Sequence, residues 1–172
     1  VTRATIYRYY ANKLEIAWAV YKRYSTHVFD TMPAMIWDVQ LNGATRLNAL
    51  LNSFCEYFFA FPQSAQYIAE FNRLYADNLE VAQIRAASPI LPNGEDPLTI
   101  LVEVGVRDGS LRPTLDPKLI RAMTLAVLNG MEQRMLLQGE EISKEYECSL
   151  QEIYRCAIDV MMHGMKNHLS AA

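Results

Sequence analysis

The first thirteen residues carry side chains suited to contacts with nucleic acid. They read Val-Thr-Arg-Ala-Thr-Ile-Tyr-Arg-Tyr-Tyr-Ala-Asn-Lys. A helix that reads a DNA groove presents small polar and cationic side chains to base edges and phosphates. The segment supplies such side chains at Thr2, Arg3, Thr5, Tyr7, Arg8 and Tyr9. Its apolar positions, Ala4, Ile6 and Tyr10, are available for a core. We therefore predict a short recognition helix, a tight turn and a long helix that begins near Asn12.

The spacing of this segment resembles a known DNA-binding motif. Residues 5–13, Thr-Ile-Tyr-Arg-Tyr-Tyr-Ala-Asn-Lys, are similar to the second half of the helix-turn-helix domain in the tetracycline-repressor (TetR) family of bacterial regulators. That family usually has Phe where this chain has Tyr10. A helix-turn-helix also needs an earlier helix that braces the reading helix. We expect that helix in residues that precede Val1.

The resemblance implies a role for individual residues of the segment. Arg3 and Thr5 match positions that contact base edges or nearby phosphates, and Thr2 is an outlying candidate. Tyr7 and Tyr9 match positions that hydrogen-bond phosphate. Lys13 matches a phosphate-binding lysine at the start of the next helix, where the positive helix end adds to its charge.

The distribution of charge supports contact with phosphate at one end of the chain. The 172 residues carry a net charge of −3, which alone argues against a nucleic-acid partner. Residues 1–25 contain five cationic side chains and one carboxylate, a balance of +4, so the remainder carries −7. A basic end on an acidic body is typical of a module that meets phosphate through that end only.

Composition excludes several other classes of protein. The longest apolar runs are too short to cross a membrane, so no membrane partner is expected. The three cysteines, Cys55, Cys148 and Cys156, fit reduced thiols of a cytoplasmic protein better than a disulfide framework. The chain has no Gly-rich phosphate loop, no His-Glu-x-x-His and no Gly-x-Ser-x-Gly. We therefore expect a protein that is not an enzyme and that needs neither a cofactor nor a metal; an all-helical enzyme is the less favoured alternative.

Apolar periodicity and capping residues predict an all-α fold. No stretch alternates strictly enough for a strand. The predicted helices run from Asn12 to about Phe29, from Thr45 to Pro62, from Gln63 to Asp77, more weakly to Ala87, from Asp96-Pro97 through Val106, from Asp116-Pro117 to near Gly139, and from Leu150 to about His168. We expect a loop at residues 88–94. The predicted domains are a partial helix-turn-helix domain over residues 1–25 and a helical regulatory domain over residues 26–172.

A second resemblance lies about a hundred residues after the first. The stretch 106–118, with a Gly-containing turn and an Asp-Pro helix start, is similar to the join between two late helices in the same family. The two resemblances imply that the middle helices enclose a cavity for a small hydrophobic or amphipathic effector. The candidate lining residues are Trp37, Phe54, Phe58, Phe61, Tyr67, Phe71, Tyr75, Met123 and Val127. Aromatic and Met side chains at helical spacing equally suit a plain core. The alternative that these residues only form the core therefore stays open.

The resemblance also implies a homodimer bound to double-stranded operator DNA. Family members dimerise through their last two helices, and here these carry apolar faces with Ala157 and Gly164 at positions that permit close approach. The resulting hypothesis is a ligand-responsive DNA-binding regulator, by family default a repressor that an effector releases from its operator. A helical DNA-binding dimer without an effector is the alternative.

Overall fold

Helices make up nearly all of the part of the chain that the structure describes. The computed structural model describes residues 3–75, 77–87 and 96–167, and side chains for residues 5–75, 77–84 and 96–167. Within these ranges there are eight α-helices and a 3-10 helix at Ala34–Trp37. The α-helices are α1 (Arg3–Tyr7), α2 (Lys13–Asp30), α3 (Gly43–Ala60), α4 (Pro62–Tyr75), α5 (Leu79–Ala87), α6 (Pro97–Arg107), α7 (Pro117–Tyr146) and α8 (Leu150–Met165). The predicted all-α fold class is confirmed.

Side-chain caps fix where five of these helices begin. In each case a cap oxygen accepts a hydrogen bond from the backbone N–H three residues later, which satisfies one of the donors left free at a helix start. The caps are Asn12, Asn42, Asp96, Asp116 and Ser149. The last of these forms a capping box, because the Glu152 side chain also accepts from the backbone of Ser149.

Several predicted helix boundaries differ from the structure by two or more residues. α7 continues past the predicted end at Gly139 to Tyr146, because the non-helical backbone of Gln138 (φ −134°, ψ 19°) kinks the helix without ending it. α3 begins at Gly43, two residues before the predicted start, because Asn42 is its cap. α8 ends at Met165, three residues before the predicted end near His168, because the backbone of Lys166 is extended (φ −62°, ψ 146°). The predicted loop at residues 88–94 lies outside the described residues.

The main core surrounds α3. Its side chains Leu47, Leu50 and Leu51 are almost fully buried. They pack in one cluster with apolar side chains of α6, namely Leu98, Leu101 and Val102, and of α8, namely Tyr154, Ile158 and Met162. Burial of apolar surface on this scale is the dominant favourable term in folding. The helices around α3 therefore form a fixed frame for the remaining elements.

Two glycines bring α3 and α6 unusually close together. A Cβ built on Gly43 would lie 2.2 Å from the backbone nitrogen of Gly105. The same approach lets the backbone N–H of Gly43 donate to Oδ2 of Asp108 at 2.6 Å. Ala44 donates in the same way to the hydroxyl of Ser110 at 3.0 Å. The start of α3 is thus held by the end of α6.

A second cluster attaches α2 to the body. Trp18 and Tyr21 on α2 are buried against Phe71 of α4 and Val81 of α5. The ring centroids of Tyr21 and Phe71 are 4.5 Å apart, and those of Trp18 and Tyr21 are 5.2 Å apart. α2 runs without a break across the predicted domain boundary after residue 25, so its two ends are mechanically connected.

Replacement of Gly43 by Ala tests the close approach of α3 and α6. The new methyl group would meet the backbone of Gly105, which cannot swing aside as a side chain can. We expect Gly43→Ala to lower the free energy of unfolding by about 1–3 kcal/mol, measured by chemical denaturation. The matched control is Gly130→Ala on α7, where a Cβ meets nothing within 4 Å and helix propensity favours Ala by about 1 kcal/mol. Equal effects at the two sites would contradict the close approach.

Candidate nucleic-acid interface and ligand cavity

The N-terminal segment, residues 3–13, presents polar side chains on a short helix and the turn that follows. α1 ends at Tyr7, and the backbone N–H groups of Tyr9 and Tyr10 both donate to the carbonyl of Ile6, at 3.0 and 3.2 Å. Tyr9 is 70% exposed. The guanidinium of Arg8 lies 5.2 Å from the centre of the Tyr9 ring and donates to the Tyr9 hydroxyl at 3.2 Å. Arg8 and Tyr9 therefore form one exposed polar unit.

Side-chain hydrogen bonds order the start of α2. The side chain of Asn12 accepts from the N–H of Glu15 at 2.9 Å, and the Glu15 carboxylate accepts from the N–H of Ala11 at 2.8 Å. Lys13 is the exposed first residue of the helix. The positive end of the helix dipole and the Lys13 ammonium group act on the same region, which suits a phosphate.

The structure places most of the predicted DNA-binding residues on this one segment. Arg3 and Thr5 lie on α1, Tyr7 ends it, Tyr9 lies in the turn and Lys13 opens α2. Tyr7, Tyr9 and Lys13 are exposed. Thr2 lies outside the described residues, and of Arg3 only the backbone is described. Their contacts with DNA stay a prediction.

A cavity of about 230 Å³ lies between α2, α3, α4, α6 and α7. Its wall is mainly apolar, with Val28, Phe29, Phe54, Tyr57, Phe58, Ala65, Ile68, Pro97, Leu98, Leu125 and Leu128. Its polar positions are Ser25, Asp96, Arg121, Asn129 and Glu132. Apolar walls with a few placed polar groups are typical of small-molecule sites, and the volume is at the small end for such sites.

A buried carboxyl group forms one polar point of this cavity. The Tyr154 hydroxyl donates to Oε1 of Glu132 at 2.6 Å. Burial raises the pKa of Glu132 from 4.5 to about 7, and the hydrogen bond from Tyr154 offsets part of that rise. Burial and the neighbouring carboxylate raise the pKa of Tyr154 as well. Glu132 can therefore exchange a proton near neutral pH, inside the cavity.

The other charged groups on the cavity wall form an ion pair. Nε of Arg121 on α7 lies 2.5 Å from Oδ2 of Asp96. The same carboxylate oxygen accepts from the hydroxyl of Thr99 at 2.8 Å, so it also caps α6. This pair joins the starts of α6 and α7 at the cavity and leaves no net charge there.

Phe54 and Phe58 are the predicted ligand-binding residues that the structure places on the cavity wall. Three others, Tyr67, Phe71 and Tyr75, lie at four-residue spacing on α4 and pack in the second cluster against α2. The Tyr67 hydroxyl donates to the carbonyl of Ala17 at 3.0 Å. This face of α4 attaches α2 to the body of the protein, so these three rings do not line the cavity.

The remaining four predicted residues also lie elsewhere. Trp37 is half exposed at the end of the 3-10 helix. Phe61 ends α3 and packs edge-on against His27, with ring centroids 4.9 Å apart. Met123 and Val127 lie on α7, but the cavity face of that helix runs through residues 121, 125, 128, 129 and 132. Helical geometry turns both residues away from this face.

Sequence reasoning missed the charged residues of the cavity, above all Glu132. A signal for it exists in the sequence. Leu125, Leu128 and Met135 repeat at helical spacing, and Glu132 occupies the same stripe. A carboxylate within an apolar stripe is a candidate for a functional group, because its burial is costly.

Comparisons with known proteins identify the fold. Neither a protein-family model nor a curated protein matches the sequence. A TetR family transcriptional regulator from Chloroflexus aurantiacus J-10-FL matches in structure, with a TM-score of 0.56 and 20% identity over 98% of this chain and 80% of that chain. The ketosteroid transcriptional regulator KstR2 of Mycobacterium tuberculosis aligns over the same shares with a TM-score of 0.48 and 17% identity. The chain therefore has the all-α fold of TetR-family transcriptional regulators.

None of the described helices combines the length and the apolar character that a membrane span requires. Groups of three or more His, Cys, Asp or Glu side chains suited to a metal ion are also absent from the described ranges.

The raised pKa of Glu132 predicts a pH-dependent stability. The folded protein holds this proton more tightly than the unfolded chain does, so the free energy of unfolding falls as pH rises from 4.5 to about 7. Glu132→Gln has no titrating group at this position and does not lose stability in this way. We therefore expect the free energy of unfolding of Glu132→Gln, minus that of the wild type, to increase by about 3 kcal/mol between pH 4.5 and pH 8. Urea denaturation across that range measures the difference.

The same exchange at Glu103, exposed on α6, is the matched control for this measurement. If Glu132→Gln and Glu103→Gln show the same dependence on pH, Glu132 does not hold its proton as the structure indicates.

Proposed function

We propose that the chain is part of a homodimeric, ligand-responsive DNA-binding transcriptional regulator of the TetR type. The observation that carries this proposal is the position of α2. Its first residue, Lys13, belongs to the polar N-terminal segment, and its later residues Ser25, Val28 and Phe29 line the cavity. One continuous helix thus has the proposed DNA contacts at one end and the proposed effector site at the other.

The mechanism follows from this arrangement. A ligand that enters the cavity contacts α2 together with α4, α6 and α7, and it favours the α2 position that fits it best. A shift of α2 moves the N-terminal segment and, in a dimer, changes the separation of the two recognition helices. Half-sites on DNA lie a fixed number of helical turns apart, so a changed separation weakens binding. Repression with release by the ligand is the regulatory outcome we favour.

The experiment that tests DNA recognition is fluorescence anisotropy of the protein expressed from its complete gene. The duplex comes from upstream of that gene, and a scrambled duplex of the same composition is the comparison. We expect saturable binding to the upstream duplex that weakens steeply with salt, as phosphate contacts require. Weak binding with no preference between the two duplexes would contradict the proposal that the N-terminal segment recognises an operator in the upstream duplex.

Substitution of Lys13 tests the assigned phosphate contact. We expect Lys13→Ala to weaken binding to upstream and scrambled duplexes by a similar factor, because phosphates carry no sequence information. The slope of log affinity against log salt should fall by about 1 for each lost contact. The control is Lys118→Ala, an exposed lysine near the start of α7. An unchanged salt slope for Lys13→Ala would show that this lysine does not meet phosphate.

The outer face of α8 supports the proposed dimer. Val160 is 67% exposed, and a Cβ built on the neighbouring exposed Gly164 meets nothing within 4 Å. These positions leave room for a second helix at close range. By contrast, Leu128 and Met135 on α7 are buried in the core of this chain, so these two apolar residues serve the monomer.

Substitution of Val160 by Glu tests the α8 interface. A charge at the centre of an apolar interface costs desolvation on both copies, so we expect the dimer to dissociate at least about tenfold more readily, measured by analytical ultracentrifugation. The matched control is Val39→Glu, since Val39 is 79% exposed and lies in the segment before α3. Dimers of unchanged strength in Val160→Glu would place the interface elsewhere.

A further inference from the structure

The charged groups on the cavity wall leave one acidic position available to a ligand. Arg121 and Asp96 neutralise each other. Within the described part of the chain, Glu132 has a hydrogen bond from Tyr154 to Oε1 only. The second carboxylate oxygen, Oε2, is thus left for a donor that enters the cavity. A carboxylate oxygen at a cavity wall is a strong acceptor for a donor group on a ligand.

We propose that the cavity receives an amphipathic amine, whose apolar body lies among the aromatic side chains and whose protonated amino group binds the Glu132 carboxylate. This inference rests on the proposed function, because it names the chemical class of the effector. Phe29, Phe54 and Phe58 line the same cavity. Their rings suit a hydrocarbon body, and ring faces also attract an ammonium group.

Other ligand classes fit these groups less well. An anion would face the Glu132 carboxylate, and the guanidinium of Arg121 that might compensate it is engaged by Asp96. A pure hydrocarbon would bury Glu132 without a second partner, which costs free energy. An alcohol can donate one hydrogen bond but brings no charge to balance an ionised carboxylate.

The groups around Glu132 determine how binding should vary with pH. Tyr154 on α8 and Cys55 on α3 are the titratable groups that interact with Glu132. The cavity wall further carries Tyr57 on α3, Asp96 before α6 and Arg121 on α7. Burial raises the pKa of Cys55, Tyr57 and Tyr154, so these groups stay neutral near pH 7. The residues that α2 and α4 contribute to the wall do not titrate; they are Ser25, Val28, Phe29, Ala65 and Ile68. Ionisation of Glu132 should therefore strengthen amine binding as pH rises through about 7.

Isothermal titration calorimetry with three matched probes tests the proposal. The probes are phenylbutylamine, phenylbutanol and phenylbutyrate, which share one hydrocarbon body and differ in the charge of the end group. The proteins are the wild type, Glu132→Gln and the control Glu103→Gln, an exposed carboxylate on α6. Each is titrated near pH 6 and near pH 8. Retained phenylbutanol binding by Glu132→Gln shows that its cavity is intact, and a thermal melt shows that the variant is folded.

We expect the wild type and Glu103→Gln near pH 8 to bind the amine at least about tenfold more tightly than the alcohol. Glu132→Gln should lose this preference, and the wild type should show a smaller one near pH 6. The proposal is overturned if the alcohol or the acid binds as tightly as the amine, if the preference survives in Glu132→Gln, or if the amine does not bind.

The effector chemistry and the proposed regulatory function can fail separately in this design. If the amine binds with the expected preference but leaves DNA affinity unchanged, the ligand class stands and regulation by the cavity fails. If a compound of another class releases the DNA while the amine does not bind, regulation stands and the ligand class fails.

Discussion

The packing of α2 against its neighbours is the constraint on which the rest of the molecule depends. The first half of this helix is held by the rings of Trp18, Tyr21 and Phe71, which lie within 6.0 Å of one another. The N-terminus of α2 is also held by a hydrogen bond from the Asn12 amide to the Glu80 carboxylate of α5, at 3.1 Å. The second half of α2 packs on α3 and α4 through His27 and Tyr24, and it borders the cavity through Ser25, Val28 and Phe29. The helix is therefore firmly attached near its polar end and less completely packed where a ligand would touch it.

The cavity lowers the stability of the fold, whereas the filled core around α3 does not. Empty space forfeits dispersion contacts, and a buried carboxyl group forfeits hydration. Glu132 is kept inside by the Tyr154 hydrogen bond and by a pKa near 7, which leaves it partly neutral. A plain core would have an apolar residue in this place. Groups that reduce stability in this way and line a cavity are the expected mark of a binding site.

Local chemistry made most of the fold predictable from sequence, but not the cavity. The caps Asn12, Asp96, Asp116 and Ser149 place helix starts through contacts within four residues, so periodicity and capping are sufficient. The predicted end near Gly139 lies beside the kink at Gln138, but no local signal indicates that the helix resumes and continues to Tyr146. The aromatic stripe of Tyr67, Phe71 and Tyr75 predicts an apolar face, but only tertiary packing decides that it faces α2. For the same reason Glu132 was missed: its role depends on Tyr154 from another helix.

The link between the cavity and the N-terminal segment can be measured in one experiment. A compound that raises the melting temperature of the protein is first identified by thermal shift, and DNA affinity is then determined with and without it. We predict that a compound bound in the cavity weakens binding to the upstream duplex about 5- to 150-fold, the usual range for coupled sites. Loss of binding in a cavity variant would verify that the compound binds in the cavity. If such a compound leaves the DNA affinity unchanged, that result would contradict a connection through α2.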